Sequence, residues 1–196
     1  MIASEFSAYT SELYRLLTEI QTTTQESSTP LPLDEGIRVA ARYIQAVRDA
    51  GGKVILVGNG GSAAIASHMH NDLNKAVGVR AIVLTETGLL TALSNDLGYE
   101  HAYEKQVAHW AEANDLLLAV SSSGRSQNIL RAVATAREKG CRVVTLTGFT
   151  PENPLRQLGD VNYYVNSGMY GYVELAHQVI THFLTDCLTR DEPHMR

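Results

Sequence analysis

Four side chains whose types and spacing could do chemistry stand in two short stretches: His68 and Asp72, four residues apart, and Glu174 and His182, eight apart. On an α-helix such positions share a face, so each stretch would present an imidazole and a carboxylate together. Two facing pairs of this kind suit zinc or a similar divalent cation, which takes histidine nitrogen and carboxylate oxygen. The same groups could instead supply the general base and acid of a proton transfer. Equally, they could be ordinary core or interface histidines satisfied by neighbouring carboxylates. His177 and Gln178 share the second stretch, whereas His70 and His109 have no supporting spacing and read as surface or interface residues.

Two loops offer a different chemistry. Gly58-Asn59-Gly60-Gly61-Ser62 follows the apolar run Val54–Val57 and leads into a helical pattern. Its three glycines permit torsions that a side chain forbids. The helix that follows offers unpaired N–H groups and a positive dipole end, which together can hold an anion such as phosphate. Ser121-Ser122-Ser123-Gly124-Arg125-Ser126 holds the same place after the apolar run Leu116–Val120. Hydroxyls beside fresh helix N–H groups can surround a phosphate with neutral donors; the plainer reading is a polar turn with Ser126 as N-cap. Two such loops at one sheet edge are more telling than either alone. The first also satisfies G-x-G-x-x-A, the dinucleotide fingerprint. That reading wants an acidic residue ending the second strand, for which Glu86 is the nearest, and it gives the serines and histidines no role.

The elements that must carry these residues follow from hydrophobic periodicity. Glu5–Gln21 and Leu33–Ala50 read as amphipathic helices around a Thr-, Ser- and Pro-rich loop, Thr22–Pro32. From Lys53 the pattern alternates. Strands are predicted at Val54–Val57, Ala81–Leu84, Leu116–Val120, Arg142–Leu146 and Val161–Val165. Helices are predicted at Ala63–Ala76, Leu89–Leu97, Tyr103–Ala113, Ser126–Lys139 and Tyr170–Leu188. This implies an α/β fold: a doubly wound, mostly parallel five-stranded sheet flanked by helices, with ligands beyond the carboxyl ends of the strands. One domain is expected over residues 1–196. Its N-terminal helices, 1–52, would pack on the α/β core, 53–190, or on a neighbouring subunit, and the tail Arg190–Arg196 should fray.

Composition bounds the possibilities. The chain has 196 residues, 44% hydrophobic and 19% charged, which suits one globular domain with a sizeable core. A net charge of −5 argues against a nucleic-acid footprint, which needs a basic face. No apolar run approaches the roughly 20 residues of a membrane span, and Met1–Glu5 lacks the features of a signal peptide. Cys141 and Cys187 have no CxxC spacing, so neither a disulfide framework nor a cysteine zinc site is indicated. A cytoplasmic setting is expected.

Taken together, Gly58–Ser62, Asn95-Asp96, Ser121–Ser126, Ala136-Arg137-Glu138-Lys139-Gly140 and Val144-Thr145-Leu146-Thr147-Gly148 resemble the sugar isomerase (SIS) family over about Lys53–Leu188. The likeness is greatest to members that isomerise sedoheptulose 7-phosphate; a replication-initiator-binding protein of bacteria shares the scaffold and stands for a non-catalytic alternative. The resemblance implies a homotetramer that converts a seven-carbon ketose phosphate to the aldose phosphate, with one zinc per subunit. It implies that Ser121, Ser122, Ser123 and Ser126 hold the phosphate. Asn59, Gly60, Ser62, Asp96 and Glu174 would contact the sugar. Asp72 and His182 match the catalytic positions, and His68, Asp72, Glu174 and His182 match the metal positions. Asp72 stands where the family has glutamate, one methylene longer, and Glu174 where it has glutamine. The connection Lys75–Val79 is shorter than the family's basic-aromatic segment. These departures point to a long-chain sugar phosphate whose length or configuration could differ from the usual substrate.

Overall fold

The computed structural model describes residues 5–25 and 27–190, so the expectations for Met1–Ser4 and for most of the tail lie outside it. In chain order the elements are α1 (Phe6–Thr18), β1 (Gln21–Thr24), β2 (Ser27–Leu31), α2 (Leu33–Asp49), β3 (Val54–Gly58) and α3 (Gly61–Asp72). There follow β4 (Ala81–Val83), α4 (Thr87–Leu97), α5 (Ala102–Trp110), β5 (Leu116–Ser121), α6 (Gln127–Glu138), β6 (Arg142–Thr147), β7 (Val161–Tyr164) and α7 (Tyr170–Arg190). They form one sheet of order β2-β1-β7-β6-β5-β3-β4. Strands β4, β3, β5, β6 and β7 are parallel, while β1 runs antiparallel to both β7 and β2.

The five expected strands are all present, but among the described residues the sheet has seven. The segment Thr22–Pro32, expected as a loop, folds as a hairpin on the outer edge of β7. Threonine suits a strand through its branched Cβ, and Thr22 is fully buried. Pro30 is tolerated because β2 is an edge strand, where a missing N–H costs no ladder bond.

The central strands read as continuous apolar runs because both faces are covered. Val54, Leu56, Leu116 and Leu118 face a cluster with Leu16, Ile37, Ile65 and Val173 from α1, α2, α3 and α7. The alternate residues Ile55, Val57, Leu117 and Ala119 face Tyr103, Val107, Ile129 and Val133 from α5 and α6. The N-terminal helices pack on the core of their own chain. Tyr9 stacks on Tyr172 at 4.4 Å, and the Tyr163 hydroxyl donates to the Gly36 carbonyl at 2.8 Å.

Helix α3 departs from expectation at its end. After Asp72 it widens into a single π-turn, Leu73–Val77, closed by Gly78 in the left-handed region. Asn74 fastens this turn to β4, its Nδ2 donating to Ala81 O and its Oδ1 accepting from Ala81 N, both at 3.1 Å. Single π-turns inside helices often mark functional sites. Among the described residues no helix is long and apolar enough to cross a membrane.

Candidate active site

Both loops emerge at the carboxyl ends of neighbouring parallel strands, β3 and β5, and so lie side by side. Gly60 serves as N-cap of α3 with φ 54° and ψ −124°, a conformation open essentially to glycine alone. The serine loop is held by its own backbone. Gly124, at φ 61°, donates to the Ser121 carbonyl at 3.1 Å. The Gly148 N–H donates to the Ser122 carbonyl at 2.9 Å and the Leu155 N–H to the Gly124 carbonyl at 3.1 Å. Ser126 occupies the N-cap position of α6, but its hydroxyl makes no capping bond. The buried Ser122 hydroxyl has no partner.

These groups line a cavity of about 240 Å³ walled by Asn59, Gly60, Gly61, Ser62, Ser121, Ser122, Ser123, Ser126, Tyr170 and Glu174. Its donors are hydroxyls, an amide and the first N–H groups of α3 and α6, which have no intrahelical acceptors. None of these lining residues is cationic. The Arg125 guanidinium is directed instead at the Thr150 hydroxyl, 3.3 Å away. Such a shell holds a phosphate by hydrogen bonds and helix dipoles rather than by counter-charge. The Glu174 carboxylate packs against Gly61, where a side chain would collide with it.

The second constellation lies further along the same pair of helices. Asp72 Oδ2 stands 3.5 Å from His68 Nε2 and 3.5 Å from His182 Nδ1. The two imidazoles meet edge-on with centroids 4.6 Å apart. One ligand atom from each of the three residues falls within 4.8 Å of the others. A tetrahedral ion with ligands at about 2.0–2.1 Å would hold them about 3.3 Å apart, so both imidazole–carboxylate spacings fit zinc. Two imidazoles and one carboxylate are also the donor set of a catalytic rather than a structural zinc site. The shorter aspartate thus reaches both histidines from the last residue of α3. Glu174 is not in this group. It sits two helical turns before His182, a rise of about 12 Å, and faces the cavity.

The other candidate residues separate cleanly. Asp96 is exposed on α4, where it accepts from Asn95 Nδ2 at 2.9 Å, and it does not line the cavity. Glu86, the acid that a dinucleotide site would need, caps α4 by accepting from the Gly88 and Leu89 N–H groups at 2.9 and 2.7 Å, which hold its carboxyl below the usual range. His177 is fully buried, its Nε2 3.1 Å from the Thr147 carbonyl; burial depresses its pKa to about 4 despite that bond. Sequence reasoning missed Asn128, Tyr99 and Tyr170. Asn128 pairs with Asn59 through two amide hydrogen bonds, and Tyr99 donates to the same Asn59. The one available signal was a polar Asn128 on the buried face of α6.

Cavity, serine loop and imidazole–carboxylate cluster define a sugar-phosphate-handling α/β domain, and the chain belongs to the SIS domain family, whose model matches residues 8–148. The chain is 37% identical to the phosphoheptose isomerase of Rhodospirillum rubrum over 76% of its length and 81% of the relative's. A phosphoheptose isomerase structure from Neisseria gonorrhoeae aligns with a TM-score of 0.81 and 31% identity, covering 93% of this chain and 96% of that one. One from Francisella tularensis aligns with a TM-score of 0.83 and 28% identity, covering 97% and 99%.

Proposed function

We propose that this protein is an aldose–ketose isomerase acting on a seven-carbon ketose phosphate, sedoheptulose 7-phosphate, as the relatives' name suggests. The observation that carries the reading is the seam between α3 and α7. At its start, Gly61 meets Glu174 beside the serine loop; further along, His68 and Asp72 meet His182. From Ser62 to His68 the helix rises about 9 Å, and to Asp72 about 15 Å, with side chains leaning back toward the loop. An open seven-carbon chain ending in a phosphate ester spans roughly 10 Å, at about 1.25 Å per bond along a zigzag of ~1.5 Å bonds. A sugar with its phosphate among the serines therefore brings carbon 1 toward Asp72. A three-carbon substrate would stop about halfway.

The phosphate is held by the hydroxyls of Ser121, Ser122, Ser123 and Ser126, and the proximal sugar by Asn59, Gly60, Ser62 and Glu174. Asp72 takes a proton from carbon 1 while solvent water protonates the carbonyl oxygen on carbon 2, giving an enediol. His182 returns a proton to carbon 2, and oxygen 1 gives its proton to solvent, leaving the aldehyde. His68, Asp72 and His182 would hold one zinc per subunit. Zinc held by these residues would supply Lewis-acid polarisation of the carbonyl and stabilisation of the developing oxyanion.

The cluster is half open in one chain, with His68 and His182 side chains 49% and 46% exposed. Beside it, Leu175, Val179 and Phe183 form an exposed apolar stripe at four-residue spacing on α7. The chain accordingly works as a homo-oligomer, a tetramer in this reading, which closes that face over the cluster. Light scattering should give the mass of four chains, and Phe183→Glu should lower it together with turnover. An unchanged mass and full activity in that variant would remove the oligomer from the account. A cytoplasmic setting, with no nucleic-acid or membrane partner, goes with this reading.

The deciding experiment is incubation with three-, five-, six- and seven-carbon ketose phosphates in D2O, following aldose formation and deuterium uptake by NMR. Conversion of the seven-carbon substrate, with deuterium at carbon 2, is expected. Binding without conversion would favour the non-catalytic sugar-phosphate module, for which the cluster at Asp72 has no use.

A further inference from the structure

The orientation of an asparagine amide is settled by its neighbours, because oxygen and nitrogen are nearly alike in shape. Here the neighbours leave one solution. The Ile129 backbone N–H, which can only donate, is shared between the Ser126 carbonyl at 3.1 Å and Asn128 Oδ1 at 3.0 Å, so the atom facing it must be an acceptor. Asn128 must therefore turn its Nδ2 elsewhere, and that nitrogen donates to Asn59 Oδ1 at 2.9 Å. In return, Asn59 Nδ2 donates to Asn128 Oδ1 at 3.0 Å. The Tyr99 hydroxyl then donates to Asn59 Oδ1 at 2.7 Å, filling that oxygen's second lone pair. Every acceptor site of the Asn59 amide is used, and one Nδ2 hydrogen is left over. Asn59 lines the serine cavity, and with Tyr99 and Asn128 it also lines the concavity of about 480 Å³ next to it.

We propose that Tyr99 and Asn128 are positioning residues that lock the Asn59 carboxamide with its oxygen turned inward and one N–H free to donate to a sugar oxygen. The inference rests on the sugar-phosphate reading above. It assigns the site a polarity: at this point the ligand must present a hydroxyl or carbonyl oxygen as acceptor. The two anchors differ in kind. Asn128 is buried and sits on the first turn of α6, so its orientation is fixed by the helix start. Tyr99 is 46% exposed and reaches Asn59 from the short helical turn that precedes α5, so it can be altered without disturbing the core.

The test is a double-mutant cycle read as the dissociation constant of sedoheptulose 7-phosphate by calorimetry, with kcat and KM measured alongside. Tyr99→Phe removes one hydrogen bond and should weaken binding about tenfold, chiefly in KM, with an unchanged thermal midpoint. In an Asn59→Ala background the same substitution should change binding by less than a factor of two, since Tyr99 would then have nothing to position. Asn128→Asp keeps the acceptor for Ile129 but replaces the donor to Asn59, and should weaken binding at least as much as Tyr99→Phe. Equal losses from Tyr99→Phe with and without Asn59, or no loss in either, would overturn the proposal. A wild type that binds but does not isomerise, with the cycle intact, would sink the isomerase reading and leave this one standing.

Discussion

The two ends of the α3–α7 seam are built in contrasting ways. At the serine-loop end, the chain is locked: Ser121 and Ser122 are buried, their loop is pinned by backbone bonds from Gly124, Gly148 and Leu155, and His177 braces the adjacent Thr147 carbonyl. At the far end, His68, Asp72 and His182 meet through side chains alone, on helix surfaces open to solvent. Parallel strands fix the first end because their carboxyl edges set two loops side by side at a spacing dictated by the sheet. The second end depends only on helix packing, which leaves side chains free to be adjusted by an ion, a substrate or a neighbouring chain. In the proposed isomerase, binding would thus be rigid within one chain while the reactive group stays adaptable.

The sharpest way to separate the ends is Asp72→Asn. It should cut turnover by about 10²–10⁴-fold while changing the affinity for sedoheptulose 7-phosphate by no more than a few-fold. Parallel kinetics and calorimetry test this, and wild-type turnover in the variant would dismiss Asp72 as the base. The second concerns acid. Below about pH 6.5 the unfolded chain takes up a proton at His177, whereas the folded chain does not until about pH 4. The unfolded state then binds more protons, so stability falls as pH falls through that window and is intact above it. The loss should reach roughly 3 kcal/mol by pH 4. Urea unfolding from pH 7 to 4.5 should show a steeper decline for wild type than for His177→Gln; equal slopes would show that His177 is not held neutral. The smallest effect is expected from Ser126→Ala. Its hydroxyl makes no capping bond, so the thermal midpoint should hold while KM rises about two- to tenfold. A lowered midpoint with unchanged KM would make it a structural cap.

Much of this molecule could be read in advance, for reasons that differ by element. The apolar runs beginning at Val54, Leu116 and Val143 read as strands covered on both faces, and they are. The four-residue spacing of His68 and Asp72 fixed a shared helix face, and both do meet His182. The hairpin at Gln21–Leu31 was hidden because its Thr, Ser and Pro composition describes a loop as well as an edge strand. Asn128 and Tyr99 were hidden because their role exists only through Asn59, 69 and 40 residues away in the chain.

Residue order alone set the alternation of strand and helix, the glycine and serine turns, and which helix faces carry imidazole and carboxylate. Those are local matters, set by periodicity and by torsions that few residues permit. It took the packing of α7 on α3 to put Glu174 with the cavity rather than with His68, Asp72 and His182. Only packing could show that the π-turn after Asp72 still leaves a short carboxylate midway between two imidazoles. That His182 meets His68 and Asp72 is likewise tertiary, since it depends on α3 and α7 lying side by side.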